Sequence, residues 1–538
     1  MSIDTRAGRH AGVLVPLFSI PSTLSWGIGE IADVAPLAAW LRSAGLDILQ
    51  VLPLNEVSVR DRSPYSALSA MAIDPVYISV HALVDFVEPG GEAGMDRDWR
   101  DRLAAARSGS TVDYPLVRGL KDEALVLAFE RFRAKEWDKG TPRAAALAAW
   151  IETERYWLDD YALFRALHAQ YREEPWTTWP FTLRRRVQAG LQAARSGMAH
   201  ALQFRQYLQW VASEQWRAAR RGAAGVAIFG DLPFMVDLDS ADVWARQDQF
   251  SLDASVGAPP DAFSPSGQNW GFPACRWDTM KRDGYAWFSD RARRGAALYD
   301  GFRLDHLVGL YRTYTVPHGG SPPFFSPGEP DDQLALGEAL VRIFAGTPAH
   351  LVAEDLGTVP DFVRASLQRL GVPGYRVLRW ERAWHEEGRP FGDPSAYPAA
   401  SVATTGTHDT ETLAVWWDQL PGEERARVGR IGELRRILGD DFDFAGADFS
   451  PRLRDALLET LFVSGSDLLV LPIQDVFGWR DRINLPGSFS ADNWTWRLMW
   501  PTDRLASTPE ARERARTLRQ WAARRTGAEI RALGSDGL

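Results

Sequence analysis

Eight short apolar runs, each ending in polar or charged residues, limit the fold of this 538-residue chain more than any other feature. They lie at residues 12–19, 47–53, 225–233, 301–306, 350–357, 374–380, 401–409 and 468–475. Segments with helical periodicity precede or follow most of them. Strands covered on both faces read as continuously apolar, so eight such runs alternating with helices predict an α/β fold, a (β/α)₈ TIM barrel.

A doubly wound open sheet is the alternative arrangement of the same elements. Sheets of that kind often bind nucleotides through G-x-G-x-x-G or G-x-x-x-x-G-K-[ST] turns directly after a strand. Neither pattern follows any of the eight runs. The barrel is therefore the favoured prediction.

The uneven spacing of the runs predicts two large insertions, because a barrel alone takes about 250 residues. We expect residues 54–224, after the second strand, to form a mainly helical subdomain, and residues 234–300 to form a second insertion after the third strand. Both would cover the carboxyl-terminal mouth of a single catalytic barrel spanning residues 1–538. Within the second insertion, the Gly-, Pro- and Ser-rich segment 256–273 reads as a long irregular loop, and its aromatic residues favour a functional lid.

Composition restricts the class of partner. The net charge of −9 gives no reason to expect a nucleic acid. The single cysteine, Cys275, cannot form an internal disulfide, which fits a reducing cytoplasm. No apolar run reaches the ~18 residues that would indicate a membrane span, and the polar residues 1–10 do not resemble a secretory signal. We therefore expect a cytoplasmic protein without a membrane or nucleic-acid partner.

Acidic residues and histidines end several of the runs, where a barrel enzyme carries its reacting groups. The residues are Asp231, Asp305 with His306, Glu354 with Asp355, His408 with Asp409, and Asp475. Three interpretations compete: glycosyl transfer or hydrolysis by paired carboxyl groups, a metal-dependent hydrolase, and a sugar-binding barrel without catalysis. The first run ends without the H-x-H pattern that barrel metal sites favour, and a cluster of acids is costly to keep in a barrel that does no chemistry. Carboxylate chemistry is therefore favoured.

Arg303 and Asp305 lie two apart on one predicted strand, so their side chains share a face. A guanidinium beside a carboxylate favours the ionised form that a nucleophile needs, although a purely structural ion pair fits the same spacing. An acid catalyst needs the opposite environment, and the pattern alone does not choose between Glu354 and Asp355.

A series of short motifs in a fixed order resembles the amylomaltase family, the 4-α-glucanotransferases or disproportionating enzymes of the α-amylase superfamily. The resemblance covers nearly the whole chain. The motifs are SPYS at 63–66, WLDDYALF at 157–164, GDLP at 230–233, DSADVW at 239–244, PPD at 259–261, R-x-D-H at 303–306, AEDLG at 353–357, TGTHD at 405–409, QD at 474–475, RINLPG at 482–487 and NWTWR at 493–497.

The resemblance implies a role for each matching residue. Asp305 corresponds to the nucleophile, Glu354 to the general acid/base and Asp409 to the third acid, which stabilises the transition state. Residues matching the subsite of the transferred sugar and the rest of the cleft are Asp231, Arg303, His408, the stacking residue Tyr65, and Asn484. Gln268 and Trp270 match the lid over the acceptor side.

The resemblance also implies a reaction. The enzyme would transfer segments of α-1,4-glucans (maltooligosaccharides, amylose or glycogen) to the 4-hydroxyl of glucose or another glucan, with retention and without metal or cofactor. A retaining α-glucan hydrolase on the same residues and a non-catalytic glucan-binding barrel remain the alternatives. Departures from the common family pattern, among them Arg379-Trp380-Glu381 after the sixth strand, leave open the donor and acceptor length, a secondary glucan-binding site and the formation of large cyclic glucans. The sequence does not give the oligomeric state.

Overall fold

The computed structural model describes residues 4–6, 8–260, 266–384, 386–488 and 490–527. Its strands are β1 His10–Leu14, β2 Ile48–Gln50, β3 Ala227–Leu232, β4 Phe250–Ala258, β5 Gln268–Cys275, β6 Gly301–Leu304, β7 Thr313–Pro317, β8 Phe324–Ser326, β9 His350–Ala353, β10 Gly374–Val377, β11 Ser401–Thr404 and β12 Leu468–Pro472.

The α-helices of the same residues alternate with these strands or lie between them. They are α1 Val34–Ser43, α2 Val84–Val87, α3 Arg97–Ser108, α4 Tyr114–Lys135, α5 Pro142–Gln170, α6 Phe181–Arg184, α7 Gln188–Gly197, α8 Ala199–Gly222, α9 Ala241–Ala245, α10 Trp277–Arg282, α11 Ala286–Leu298, α12 Pro330–Ala345, α13 Asp361–Arg369, α14 Leu413–Gln419, α15 Gly422–Val428, α16 Gly432–Leu438, α17 Pro451–Phe462, α18 Ile473–Phe477 and α19 Pro509–Thr526.

Eight parallel strands close into a barrel in the order β1, β2, β3, β6, β9, β10, β11, β12, with β12 pairing back to β1. Each of the eight apolar runs overlaps one of these strands. The residues of β1 and β12 are buried throughout, as expected where helices cover the outside and side chains fill the inside. The predicted (β/α)₈ fold is confirmed.

Helices α2 to α8 occupy the segment between β2 and β3. The longest, α5, begins with Pro142 after Thr141, whose side chain caps the backbone N–H of Ala144, and it packs against α8. Lys121 of α4 joins this helical segment to the barrel, since its buried ammonium lies 2.8 Å from the Glu30 carboxylate just before α1. Separating a buried pair of this kind would leave an uncompensated charge in the interior, so the pair favours this one position of the helical segment against the barrel. The subdomain limits 54–224 stay a prediction.

A second, antiparallel sheet in the order β5, β4, β7, β8 differs from the irregular loop expected at 256–273. Strands β4 and β5 take up half of that segment, while residues 261–265 lie outside the described residues. Pairing with β7 provides hydrogen-bond partners for backbone N–H and C=O groups of β4 that have no partner within the segment itself. Gly257 is required at this point, because a Cβ there would lie 2.0 Å from the Gln268 carbonyl oxygen.

Strands β7 and β8 follow β6, so the second sheet also draws on a third insertion that the spacing of the runs did not indicate. The pairing register places Ser255, Val256 and Gly257 opposite Val316, Thr315 and Tyr314. The β4–β5 hairpin is therefore anchored by the chain that leaves the fourth barrel strand.

Arg525, in the last turn of α19, lies across the seam where β12 meets β1. Its buried guanidinium donates to the carbonyl oxygens of His10 and Phe462, each at 3.1 Å, and to that of Ser466. We expect Arg525→Met to destabilise the protein by at least ~2 kcal/mol, since hydrogen bonds from a charged donor are lost in the interior. Thermal unfolding measures the effect.

Arg524 provides the matched control, because it is exposed and its ion pair with Glu459 lies at the surface. A surface pair contributes about 0–1 kcal/mol, so Arg524→Met should unfold close to the wild-type temperature. Equal shifts of the unfolding temperature in the two variants would show that the Arg525 hydrogen bonds across the β12–β1 seam do not stabilise the protein.

Candidate active site

The carboxyl ends of four barrel strands bring the predicted acids to one end of the barrel. Asp231 is part of β3, Asp305 directly follows β6, Glu354 directly follows β9, and Asp409 lies in the loop after β11. Since all barrel strands are parallel, these ends lie at the same mouth.

Arg303 connects two of these acids. One of its nitrogens contacts both carboxylate oxygens of Asp231, at 2.7 and 2.8 Å, and another lies 2.7 Å from Asp305. Burial lowers the pKa of Arg303, but the charges of Asp231 and Asp305 outweigh it and hold that pKa well above its ordinary value. The guanidinium therefore stays charged and sets the position of Asp305 at the mouth.

An aromatic group lines the site beside this ion pair. The Tyr65 hydroxyl donates to Asp231 at 2.7 Å, and its ring stacks on His408 with centroids 5.2 Å apart. Trp494 lies against both rings, 5.9 Å from Tyr65 and 5.8 Å from His408. Residues from three distant parts of the chain thus form one aromatic cluster, of which Tyr65 is partly exposed.

Glu354 has the environment of an acid catalyst. One carboxylate oxygen accepts the backbone N–H of His306 at 2.8 Å and the other accepts that of Leu356 at 3.1 Å. Burial raises the pKa of Glu354 to about 7; Asp305 acts in the same direction and Arg303 opposes it. Below that pH the group carries a proton that it can donate.

Asp355, its neighbour in sequence, is held by structural contacts instead. Its carboxylate accepts the backbone N–H of Tyr375 at 2.8 Å and pairs with Arg364 at 3.3 Å. Gly374 permits this placement, since a Cβ there would lie 2.4 Å from the carboxylate. The structure thus separates the two acids that the sequence pattern left equivalent.

Asp409 is oriented by the loop that follows α18. Asn484 donates its amide to one carboxylate oxygen at 2.6 Å, and His408 lies 3.4 Å from the other. Arg482 donates to the backbone carbonyls of Asp409 and Asn484. The Asp409 side chain keeps 44% of its surface exposed, so it can reach a ligand.

The β4–β5 hairpin reaches the site through Trp270. The indole N–H donates to Gln268 at 2.9 Å, and the ring meets His306 edge to face with centroids 4.7 Å apart. Gln268 is exposed and Trp270 is half-buried. The hairpin therefore touches the residue next to Asp305.

Asp475, the last of the acids that end the apolar runs, lies in α18 and has a structural role. It accepts the hydroxyl of Thr405 at 2.5 Å and the backbone N–H of Leu413 at 2.6 Å, at the beginning of α14. Its position at the N-terminus of a helix satisfies an otherwise unpaired donor.

Sequence reasoning did not assign roles to Trp494 or Arg482, although both lie in motifs that it singled out. Neither ends a strand, and their contacts with Tyr65, His408 and Asp409 come from a loop without periodicity. Within the described ranges, no three His, Cys, Asp or Glu side chains are grouped to hold a metal ion. None of the helices in the described part of the chain is long and apolar enough to cross a membrane.

The contact between Asn484 and Asp409 generates a test of whether Asp409 must be oriented for activity. We expect Asn484→Ala to lower kcat/KM for glucan transfer from maltotriose by ~10–100-fold, because Asp409 loses a charge-assisted hydrogen bond. The exposed Gln419, at the end of α14, offers Gln419→Ala as a control with unchanged rates. Equal rates in the two variants would contradict the orienting role.

Comparison with known proteins places these residues in a family. A family model described as 4-alpha-glucanotransferase matches residues 15–502. A 4-alpha-glucanotransferase from Thermus thermophilus is 34% identical over 517 residues, covering 91% of this chain and 95% of that protein. One from Chlamydia muridarum is 32% identical over 524 residues, covering 94% of each.

A solved structure shares the fold. The amylomaltase from Streptococcus agalactiae in complex with acarbose has a TM-score of 0.80 at 24% identity, covering 96% of this chain and 99% of that one. The transferase prediction is confirmed over the hydrolase and the binding-module alternatives. With its family model matched over residues 15–502 and relatives similar over nearly their whole length, the chain belongs to the 4-α-glucanotransferase family.

Proposed function

We propose that this enzyme moves α-1,4-glucan segments by a retaining double displacement, with Asp305 as nucleophile, Glu354 as general acid/base and Asp409 as the stabilising third acid. One observation carries the assignment. Two carboxyl groups at adjacent strand ends have opposite surroundings, since Asp305 pairs with the charged Arg303 while burial raises the pKa of Glu354 to about 7. Retaining glycoside chemistry needs this combination of an ionised nucleophile and a protonated acid.

In the first step a carboxylate oxygen of Asp305 attacks the anomeric carbon of the donor. The bond from that carbon to the glycosidic oxygen breaks, and the proton of Glu354 moves to the departing oxygen. The products are a β-linked glycosyl ester on Asp305, an ionised Glu354 and a free reducing-end fragment. We expect the two carboxyl groups to stand about 5–5.5 Å apart, as retaining enzymes require.

In the second step the 4-hydroxyl of an acceptor sugar takes the place of the departed fragment. Glu354 removes its proton, the oxygen attacks the anomeric carbon, and Asp305 leaves as a carboxylate. Both groups return to their starting protonation states. Inversion at each step gives net retention of the α configuration.

The remaining residues of the site bind the sugar whose anomeric carbon reacts. Asp409, held by Asn484 and beside His408, is placed to accept hydroxyl hydrogen bonds as charge develops on the ring. Tyr65 supplies an apolar ring face, and its hydrogen bond to Asp231 limits its movement. Arg303 holds Asp231 and Asp305 together beneath that ring.

Transfer needs an intermediate that survives until a sugar arrives. We assign this protection to the β4–β5 hairpin within the insertion 234–300, and to Trp270 with Gln268 on the acceptor side. The contact between Trp270 and His306 supports this role, because it seats the hairpin beside the nucleophile.

The natural substrates that this cleft suits are maltooligosaccharides, amylose and glycogen. The streptococcal amylomaltase, which shares the fold, was solved in complex with acarbose, and this supports a carbohydrate ligand for the present chain. A cytoplasmic location fits the buried free thiol of Cys275.

Incubation with maltotriose tests transfer directly. We expect glucose and a ladder of longer maltooligosaccharides with almost no gain in total reducing ends, because each transfer makes one glycosidic bond for each bond broken. Chromatography of the products and a reducing-end assay follow both quantities. A steady gain in reducing ends would show hydrolysis instead.

Two variants test the roles of the acids. We expect Asp305→Asn to lower kcat at least ~1,000-fold, because covalent catalysis loses its nucleophile. Glu354→Gln should cleave α-maltosyl fluoride, whose leaving group needs no proton, and azide should then accelerate turnover and give the α-glycosyl azide. The exposed Asp418, paired with Arg480 at the surface, provides the control Asp418→Asn. Full activity in Asp305→Asn would refute the assignment.

A further inference from the structure

We propose that His306 is a positioning residue that makes the proton affinity of Glu354 depend on the seating of the β4–β5 hairpin. The inference rests on the proposed role of Glu354 as the acid/base. It adds to that role a physical link between the acceptor side of the cleft and the acid that serves both steps.

The ring of His306 is held on several sides. Trp270 of β5 meets it edge to face at 4.7 Å, and Phe234, just after β3, meets it at 5.6 Å. Gly309 leaves room for both rings, since a Cβ there would lie 2.6 Å from Phe234 and 2.9 Å from His306. The position of this ring therefore depends on the hairpin.

The imidazole acts here as a neutral aromatic ring. Burial lowers the pKa of His306 to about 4; Asp305 opposes this shift and Arg303 reinforces it. At neutral pH the side chain adds no charge beside the nucleophile. The His306 side chain can therefore affect Glu354 only through the position of its own residue, and not through a charge.

The backbone N–H of His306 links the position of this residue to Glu354. The residue has φ 43° and ψ 49°, in the left-handed region that a residue other than glycine adopts only at a cost. In this conformation its N–H donates to Glu354 at 2.8 Å. Packing of the ring against Trp270 and Phe234 helps to hold the conformation, so losing the Trp270 contact weakens the hydrogen bond.

The charged and titratable groups that face Glu354 come from β6, from β10 and from the residue that follows it. They are Arg303 and Asp305 at the end of β6, Asp355 next to it in the chain, and Tyr375 on β10. The hairpin can therefore influence Glu354 through His306 or by excluding water. These two routes have opposite signs: loss of the N–H donor raises the pKa of Glu354, whereas admission of water lowers it.

The alkaline limb of kcat/KM reports the pKa of the free enzyme's acid, which is Glu354 in the proposed mechanism. We expect Trp270→Ala to move this limb to higher pH by about half a unit or more, because a charge-assisted hydrogen bond to the carboxylate is weakened. Trp270→Phe keeps an aromatic edge against His306 and should leave the limb in place. Maltotriose disproportionation measured across pH provides the readout.

A double-mutant cycle identifies His306 as the link. His306→Gly removes the ring while glycine still adopts the positive φ, so Trp270→Ala in this background should cause no additional shift of the limb. His306→Asn serves if the glycine variant fails to fold, because asparagine also tolerates the left-handed region. Circular dichroism and thermal unfolding check each variant.

The remaining outcomes overturn the inference. A limb that moves to lower pH shows that the hairpin acts by excluding water, and a limb that does not move shows that the seating of the hairpin does not affect the proton affinity of Glu354. An equal shift of Trp270→Ala with and without the His306 ring shows that the link runs elsewhere. If Glu354→Gln retains full transfer activity, the proposed function fails first; if Glu354 is essential and the limb is unmoved, only the positioning role fails.

Discussion

A buried guanidinium shared by two carboxylates is the interaction on which this active site depends. Arg303 lies within β6 and holds Asp231 of the neighbouring strand β3 together with Asp305 at the end of its own strand. A lone carboxylate at this depth would be neutralised by the cost of desolvation. Arg303 pairs with the Asp305 carboxylate beside Glu354, whose own burial favours the proton. The contrasting surroundings of these two carboxyl groups therefore arise at one strand end and its neighbour.

The barrel supplies the acids, and the segments outside it supply the surfaces that surround them. Tyr65, from the segment after β2, stacks on His408 at the end of β11. Trp270, from the hairpin after β3, packs against His306, and Asn484, from the loop after α18, orients Asp409. Because these surfaces are separate from the acids in sequence, they can vary while the ion pair and the acid remain.

The barrel could be predicted because its strands are buried on both faces, which leaves a continuous apolar signature ending in polar residues. The same logic placed Asp305, Glu354 and Asp409 at one mouth. It could not choose Glu354 over Asp355, since that choice depends on which carboxylate accepts a backbone N–H of β10. It also missed the second sheet, because β4 finds its partner β7 far along the chain and its glycines resemble those of a loop. The raised pKa of Glu354 follows from burial, which only the folded chain defines.

The second sheet has a mechanical consequence for how such an enzyme can diversify. Strand β7 follows Asp305 in the chain and pairs with β4, so the hairpin that carries Trp270 shares its support with Asp305. Changes in the outer strand β8, which pairs with β7, can tilt this support without altering any residue that touches a sugar. The position of Trp270 at the mouth can thus change through the scaffold of the hairpin, at residues where a comparison of the mouth residues alone would find no difference.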